Sequence, residues 1–225
     1  MTALEVLHCD NHLLVVNKPA GMPAVPDESG DASMLDLARA WVEREFNKPG
    51  RAFLAVVHRL DRPVSGVLCF GRTTKGADRV NAQFRERTAR KLYLGVVLGQ
   101  PRGERGVVEH EIWKDRAKNR VEIVRAPRDG SKTARTDWRV MEQRAGLSLL
   151  ALEPHTGRPH QLRVACRSLG TPLVGDLKYG AREPLPDKSI ALHARRLELT
   201  HPTTKEALAF EAPLPDLDVW RGWSV

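Results

Sequence analysis

The chain has 225 residues, 41% of them hydrophobic, enough for one sizeable core or at most two small ones. Thirty-six lysines and arginines against 28 acidic residues leave a net charge of +8, with the arginines spread over the whole length instead of gathered in a tail. Such a balance points to a folded basic surface facing a polyanion, RNA or DNA first, while three distant cysteines, Cys9, Cys69 and Cys166, argue against a disulfide framework or a CxxC zinc pair and for a reducing compartment.

The opening residues, MTALEVLHCDNHLLVVNKP, lack the basic region and apolar run of a signal peptide, and no segment approaches a membrane span. A soluble, cytoplasmic chain is expected. Leu4–His8 and Leu13–Asn17 read as short strands split by a DNH turn. KPAG, Lys18–Gly21, fits a tight turn with proline second and glycine fourth. SMLDLARAWVEREF places Leu35, Ala38, Val42 and Phe46 on one face of an amphipathic helix. Strands around Leu54–Val57 and Val67–Phe70 bracket the stretch HRLDRPVSG, and TKGADRVNAQFRER is a second helix with Ala77, Val80 and Phe84 inward. From Leu92 the pattern changes. YLGVVLG, RGVVEHEIW, NRVEIVR, TDWRVMEQ and LSLLALEP are strand-like and follow one another directly. A third helix, RPHQLRVACRSLG, is expected to begin with Pro159 in its first turn and to end at Gly170. A hairpin, ALHARRLELTH-PTTK-EALAFEA, follows. Strands that succeed one another without alternating helices imply an α+β fold on a largely antiparallel or mixed sheet. No linker or repeat marks a boundary, so 1–225 is expected to be a single domain.

Two motifs fail on inspection. GVLCFGRT nearly spells a phosphate-binding P-loop, but Arg72 replaces the lysine and the middle residues are apolar strand-formers. His155, His160 and Cys166 lie close in sequence at a spacing that matches no zinc pattern.

Asp61, in HRLDRPVSG between two apolar runs, is the most informative carboxylate. It sits on a loop between strands, a position that carries function disproportionately often, and Arg59 and Arg62 favour its ionised form as a nucleophile or base. An aspartate that merely caps a turn and pairs with arginine accounts for it about as well. In RKLYLGVV, Lys91 and Tyr93 share one side of a strand, and Tyr93 is one of two tyrosines in the chain. TGRPHQLRVACR sets His160, Arg163 and Arg167 on one helical face, and VGDLKYG reads as a glycine-bounded turn.

Taken together, these segments resemble the RluA family of pseudouridine synthases. His58–Gly66 resembles the H-R-L-D-x-x-[TS]-S-G motif, and KPAG, KLY, TGRPHQLRV, PLVGDLKYG and LHARRLEL-HP follow in compatible order along nearly the whole chain. The resemblance implies a mixed, mostly antiparallel sheet with flanking helices and a central active-site cleft. It also implies isomerisation of specific uridines to pseudouridine in structured ribosomal or transfer RNA, with no cofactor and no metal, by a chain expected to be a monomer. Asp61 would be the catalytic aspartate, Tyr93 the ring against the target base and Arg163 the partner of the aspartate. Arg59, Arg62, His160 and Arg167 would contact RNA. Val64 stands where the family usually has threonine, and Ala165 replaces a common histidine. The small RNA-binding domain that precedes the catalytic domain in some members is expected to be absent, because KPAG begins at residue 18.

The chemistry suits the residues. A buried carboxylate can attack the anomeric carbon of the sugar or take a proton from the neighbouring carbon, and the target base must first leave its stack. A glycosidase or base-excising glycosylase would usually need a second carboxylic acid, and none is evident near Asp61. An RNA-binding protein without turnover is disfavoured by the presence of Asp61, Tyr93 and Arg163 together.

Overall fold

The computed structural model describes residues 4–224. They form two compact units interleaved in sequence: residues 4–90 with 194–214, and residues 91–193 with 215–224. Each unit is built from two separated pieces of chain. That is why no linker composition marks a boundary.

In the first unit, strands β1 (Glu5–Cys9), β2 (Leu13–Lys18), β4 (Ser65–Gly71) and β10 (Leu192–Thr200) lie in that order, with the two-residue β3 (Ala55–Val56) on β4 and β11 (Ala207–Glu211) on β10. The registered pairs are antiparallel. All seven residues of β4 are buried, which explains its continuous apolar run, unlike the alternation of a half-exposed strand. Helix α1 (Met34–Glu45) opens with a capping box: the Ser33 hydroxyl accepts from the Asp36 amide while the Asp36 carboxylate accepts from the Ser33 amide. Met34, Leu35, Ala38 and Val42 are its buried face. Phe46, expected inward, is 47% exposed and lies beneath the Arg72 guanidinium at 4.2 Å, because the helix ends one residue earlier and Phe46 is its C-cap. Helix α2 (Thr74–Glu86) is capped by Thr73 and packs Ala77 and Val80 against Leu13, Val15, Val67 and Cys69. Burying a side chain such as Leu13 is worth about 1.5–3 kcal/mol.

In the second unit the sheet order is β5 (Arg90–Leu98), β9 (Leu147–Pro154), β8 (Lys132–Arg144), β6 (Arg105–Asp115), β7 (Arg120–Val124), with every neighbour antiparallel. Helix α3 (Gln161–Ser168) contributes Val164 to a core with Ile112, Val121, Ala134 and Tyr179. It starts later than its sequence suggests. His160, in the left-handed region at φ 50°, is the N-cap, so Pro159 precedes the helix and is not in its first turn. No helix among the described residues is long and apolar enough to cross a membrane.

Candidate active site

Asp61 lies on the loop between β3 and β4, half-buried, and that loop is tied down by groups from several elements. Leu60 and Val64 on either side are buried, at 6% and 3% exposure, so they anchor the loop in the core. The valine that replaces the family's usual threonine therefore fills apolar space. His58 accepts the Cys69 amide proton on Nε2 at 2.9 Å, which fixes its tautomer, and its ring packs 5.0 Å from that of Phe84. The Val64 amide donates to the Asp61 carbonyl, closing a turn around Arg62 and Pro63. Gly66, which ends the motif, has φ +115°, and a Cβ there would stand 2.3 Å from the Ala194 carbonyl oxygen. Only glycine fits.

The brace that the sequence does not announce is Lys18. It is fully buried, and its Nζ donates to the carbonyls of Pro19 (2.8 Å), Met22 (2.6 Å) and Arg62 (3.1 Å). Gly21 adds its amide to the same Arg62 carbonyl at 2.8 Å. The KPAG turn is thereby pinned to the Asp61 loop through a single ammonium. Burial pushes Lys18 down to about 7, against the opposing pull of the Asp61 carboxylate, with Arg62 lowering it further. Three acceptors match the three protons of an ammonium.

Arg62 points elsewhere than expected. Its guanidinium bridges Asp27 (2.9 Å), Asp31 (2.5 Å) and the Ser29 hydroxyl, clamping the loop between β2 and α1. Hydrogen bonds from Ser29 and from Arg62 hold Asp27 at about 2. Its sequence neighbourhood suggests RNA and the charge on Asp61; in the structure its partly exposed guanidinium is engaged by Asp27, Ser29 and Asp31. Arg59 is exposed.

In the second unit, Tyr93 sits half-buried on β5 opposite Leu152 of β9. Arg163 lies on α3 with its side chain 7% exposed, and its Nε and Nη2 each reach an oxygen of Asp176 at 2.7 Å. Its guanidinium also stands 4.9 Å from the centre of the Tyr179 ring. The Tyr179 hydroxyl bonds His160 Nδ1 at 2.7 Å and accepts from the Val121 amide at 2.8 Å. His160 is thus 9% exposed and engaged inside the fold, which differs from the RNA contact read from its sequence neighbourhood. Arg167 is exposed. Gln161, overlooked in the sequence, donates to the Arg135 carbonyl and the Thr136 hydroxyl and accepts from Thr156 and the Arg158 amide, so the TGRPHQ turn is fastened to β8.

Asp176, Tyr179 and Gln161 were legible only as letters of VGDLKYG and TGRPHQLR. Their signal was a polar residue beside an apolar run. His155 pairs with Asp137, His160 with Tyr179, and Cys166 is buried, its thiol pushed up to about 12 by burial and by Asp176. Among the described residues no group of three or more His, Cys, Asp or Glu is disposed to hold a metal ion.

The model of the RNA pseudouridylate synthase family matches residues 12–168. The dual-specificity RNA pseudouridine synthase RluA of Escherichia coli K12 is 35% identical over 220 residues, 93% of this chain and 93% of the relative. The ribosomal large subunit pseudouridine synthase D of Nitrosomonas europaea is 35% identical over 95% of this chain, which spans 62% of that protein, and the RNA pseudouridine synthase YhcT of Bacillus subtilis is 35% identical, with 69% of its length spanned. Among solved structures, human RNA pseudouridylate synthase domain containing 4 superposes with a TM-score of 0.79 at 26% identity, covering 94% of this chain and 89% of that one. The chain belongs to the RNA pseudouridylate synthase family, whose reaction is the isomerisation of uridine to pseudouridine in RNA.

Proposed function

We propose that Asp61 is the catalytic carboxylate of this isomerisation and that the substrate is a uridine in ribosomal or transfer RNA; the ribosomal large subunit is named for one of the relatives. The observation that carries the reading is the bracing of the Asp61 loop: Lys18 and Gly21 fix the Arg62 carbonyl, and His58 fixes the start of the loop to β4. A carboxylate that must meet one sugar carbon needs a backbone that does not move.

The reaction breaks the bond between uracil N1 and sugar C1′ and forms one between uracil C5 and C1′. The proton on C5 is lost and N1 gains one, so atoms balance without a co-reactant. Asp61 starts it by attacking C1′ or by removing the C2′ proton. Tyr93 offers its ring to the extruded base. Arg163, its plane set by Asp176, orients Asp61 and supports its charge. Arg59 and Arg167, both exposed, contact the phosphates. No second carboxylic acid is needed, in contrast to a glycosidase.

Pseudouridines mapped across total RNA from cells with and without the gene identify the target, and purified protein with unmodified transcripts tests the chemistry. Pseudouridine without free uracil is the expected product. Free uracil would make the chain a glycosylase. Substrate deuterated at C2′ separates the two roles of Asp61, since only proton removal there slows the reaction.

A further inference from the structure

The net charge is not evenly distributed. Residues 114–132 contain seven lysines and arginines and three acidic residues, a net of +4, half of the chain's +8 in 19 of 225 residues. This segment comprises the end of β6, the turn at 116–119, the edge strand β7 and the loop that leads to β8. Lys114, Arg116, Lys118, Arg125, Arg128 and Lys132 are all exposed. Among the described residues, the one ion pair they make joins Lys118 to Asp115 at 3.8 Å. The Arg128 guanidinium lies over the Trp113 ring, 3.9 Å from its centre, so this cation is held in place by the indole face.

Protection of an edge strand against pairing with other chains accounts for some charge there. It calls for neither seven cations nor an arginine stacked on tryptophan. From the sequence of the sheet, β7 lies four strand spacings from β5, so the cluster is roughly 19 Å across the sheet from the strand that carries Tyr93. That is too far to touch the nucleotide at Tyr93.

We infer that the β6–β7 turn and the β7–β8 loop form an RNA-backbone docking arm that holds phosphates flanking the target nucleotide. The inference rests on the reading of the chain as an RNA isomerase and adds where the substrate is gripped. A surface of exposed lysines and arginines on a short hairpin matches a phosphate track and carries no base code. The arm therefore sets affinity and salt dependence and leaves the chemical step alone.

The test uses the full chain and unmodified large-subunit ribosomal RNA and tRNA transcripts. In one variant Lys114, Arg116, Lys118 and Arg125 all become Gln. In a second, Arg44, Lys48, Arg51 and Lys75, exposed in the first unit, become Gln, giving the same loss of charge. Thermal melts confirm that both fold. The arm variant is expected to raise KM at least tenfold, to keep the single-turnover rate at saturating RNA, and to flatten the slope of log affinity against log salt by about 2–3. Arg128→Lys, which keeps the charge and gives up the guanidinium over the Trp113 ring, should weaken binding severalfold. Equal effects of the two quartets, or an unchanged salt slope in the arm variant, would overturn the arm. Because binding is read independently of turnover, wild-type protein that binds RNA through the arm and makes no pseudouridine would fail the proposed function and leave the arm standing.

Discussion

Arg163 and Asp176 hold each other by two parallel 2.7 Å hydrogen bonds in a place where their side chains expose 7% and 1% of their surface. A fork-to-carboxylate pair of this kind fixes a plane as well as a charge. Removing one partner leaves the other ionised in the interior. Asp176→Ala should therefore lower stability by about 3–5 kcal/mol in urea unfolding. Asp176→Asn, which keeps the shape and one acceptor, should cost less and still slow pseudouridine formation. An Asp176→Asn enzyme of full activity would show that the plane of Arg163 is irrelevant to the reaction.

Lys18 should behave as a brace. Lys18→Met strips the Pro19 and Met22 carbonyls of this donor and leaves the Arg62 carbonyl with the Gly21 amide alone, and an acceptor left unmatched in the interior costs about 1–3 kcal/mol. A clear drop in melting temperature and a lower turnover with little change in RNA affinity are expected. The sign of the pH effect is set by the depressed value of about 7 in the folded protein. Between there and the ordinary lysine range the unfolded chain binds more protons, so the native state gains stability as pH rises. The gap in stability between wild type and Lys18→Met should widen from pH 7 to 10, as chemical denaturation at several pH values would reveal. A narrowing gap would mean the ammonium is not desolvated.

What was legible in the sequence follows from what physics writes into it. Continuous apolar runs gave β4 and β9, and the Ser33 cap with its helical stripe gave α1, because burial and capping act within a few residues. Phe46 shows the limit: its periodicity fits the buried face, yet the helix stops just short of it. Arg62 shows another. Its neighbours in the chain suggest partnership with Asp61, while its actual partners are Asp27, Ser29 and Asp31, more than thirty residues away. Asp176, Tyr179 and Lys18 were missed for the same reason, since each works through a contact that only folding creates. The interleaving of the two units is likewise a property of long-range pairing.

Gly66 carries a prediction of its own. With φ +115° and the Ala194 backbone where a Cβ would stand, Gly66→Ala cannot be accommodated by a rotamer change. It should yield insoluble protein, or a fold weakened by more than about 3 kcal/mol, within the large-effect class of backbone strain. A soluble Gly66→Ala protein with wild-type melting would show that β4 and β10 can separate there at little cost.

Acid stability should depend on Asp10. Burial opposes its charge, yet hydrogen bonds from His8 and from the amides of His12 and Leu13 bring it down to about 2. His201 reaches the same carboxylate at 3.1 Å. A depressed carboxylate stabilises the fold above its ordinary range and loses that contribution as pH falls toward 2. Asp10→Asn should lower the melting temperature at pH 6 and melt with a shallower dependence on pH between about 4 and 2. Identical acid profiles for the two proteins would remove Asp10 from the account.

The proposed partnership of Asp61 with Arg163 joins residues about a hundred positions apart. Asp61→Asn should abolish turnover and leave RNA affinity within a few-fold of wild type, because the carboxylate supplies chemistry and the arginines supply binding. Arg163→Lys retains a positive charge and gives up the fork that grips Asp176 through Nε and Nη2. A lysine there cannot hold the Asp176 carboxylate in a fixed plane. Turnover should fall by orders of magnitude with binding largely spared. Asp61→Ala and Arg163→Lys combined should then cost little more than Asp61→Ala alone, since an orienting group has nothing left to orient. Single-turnover measurements on the four proteins give the coupling directly. Additive losses would mean that Arg163 serves only the stability of α3 and that the carboxylate is oriented by the braces of its own loop.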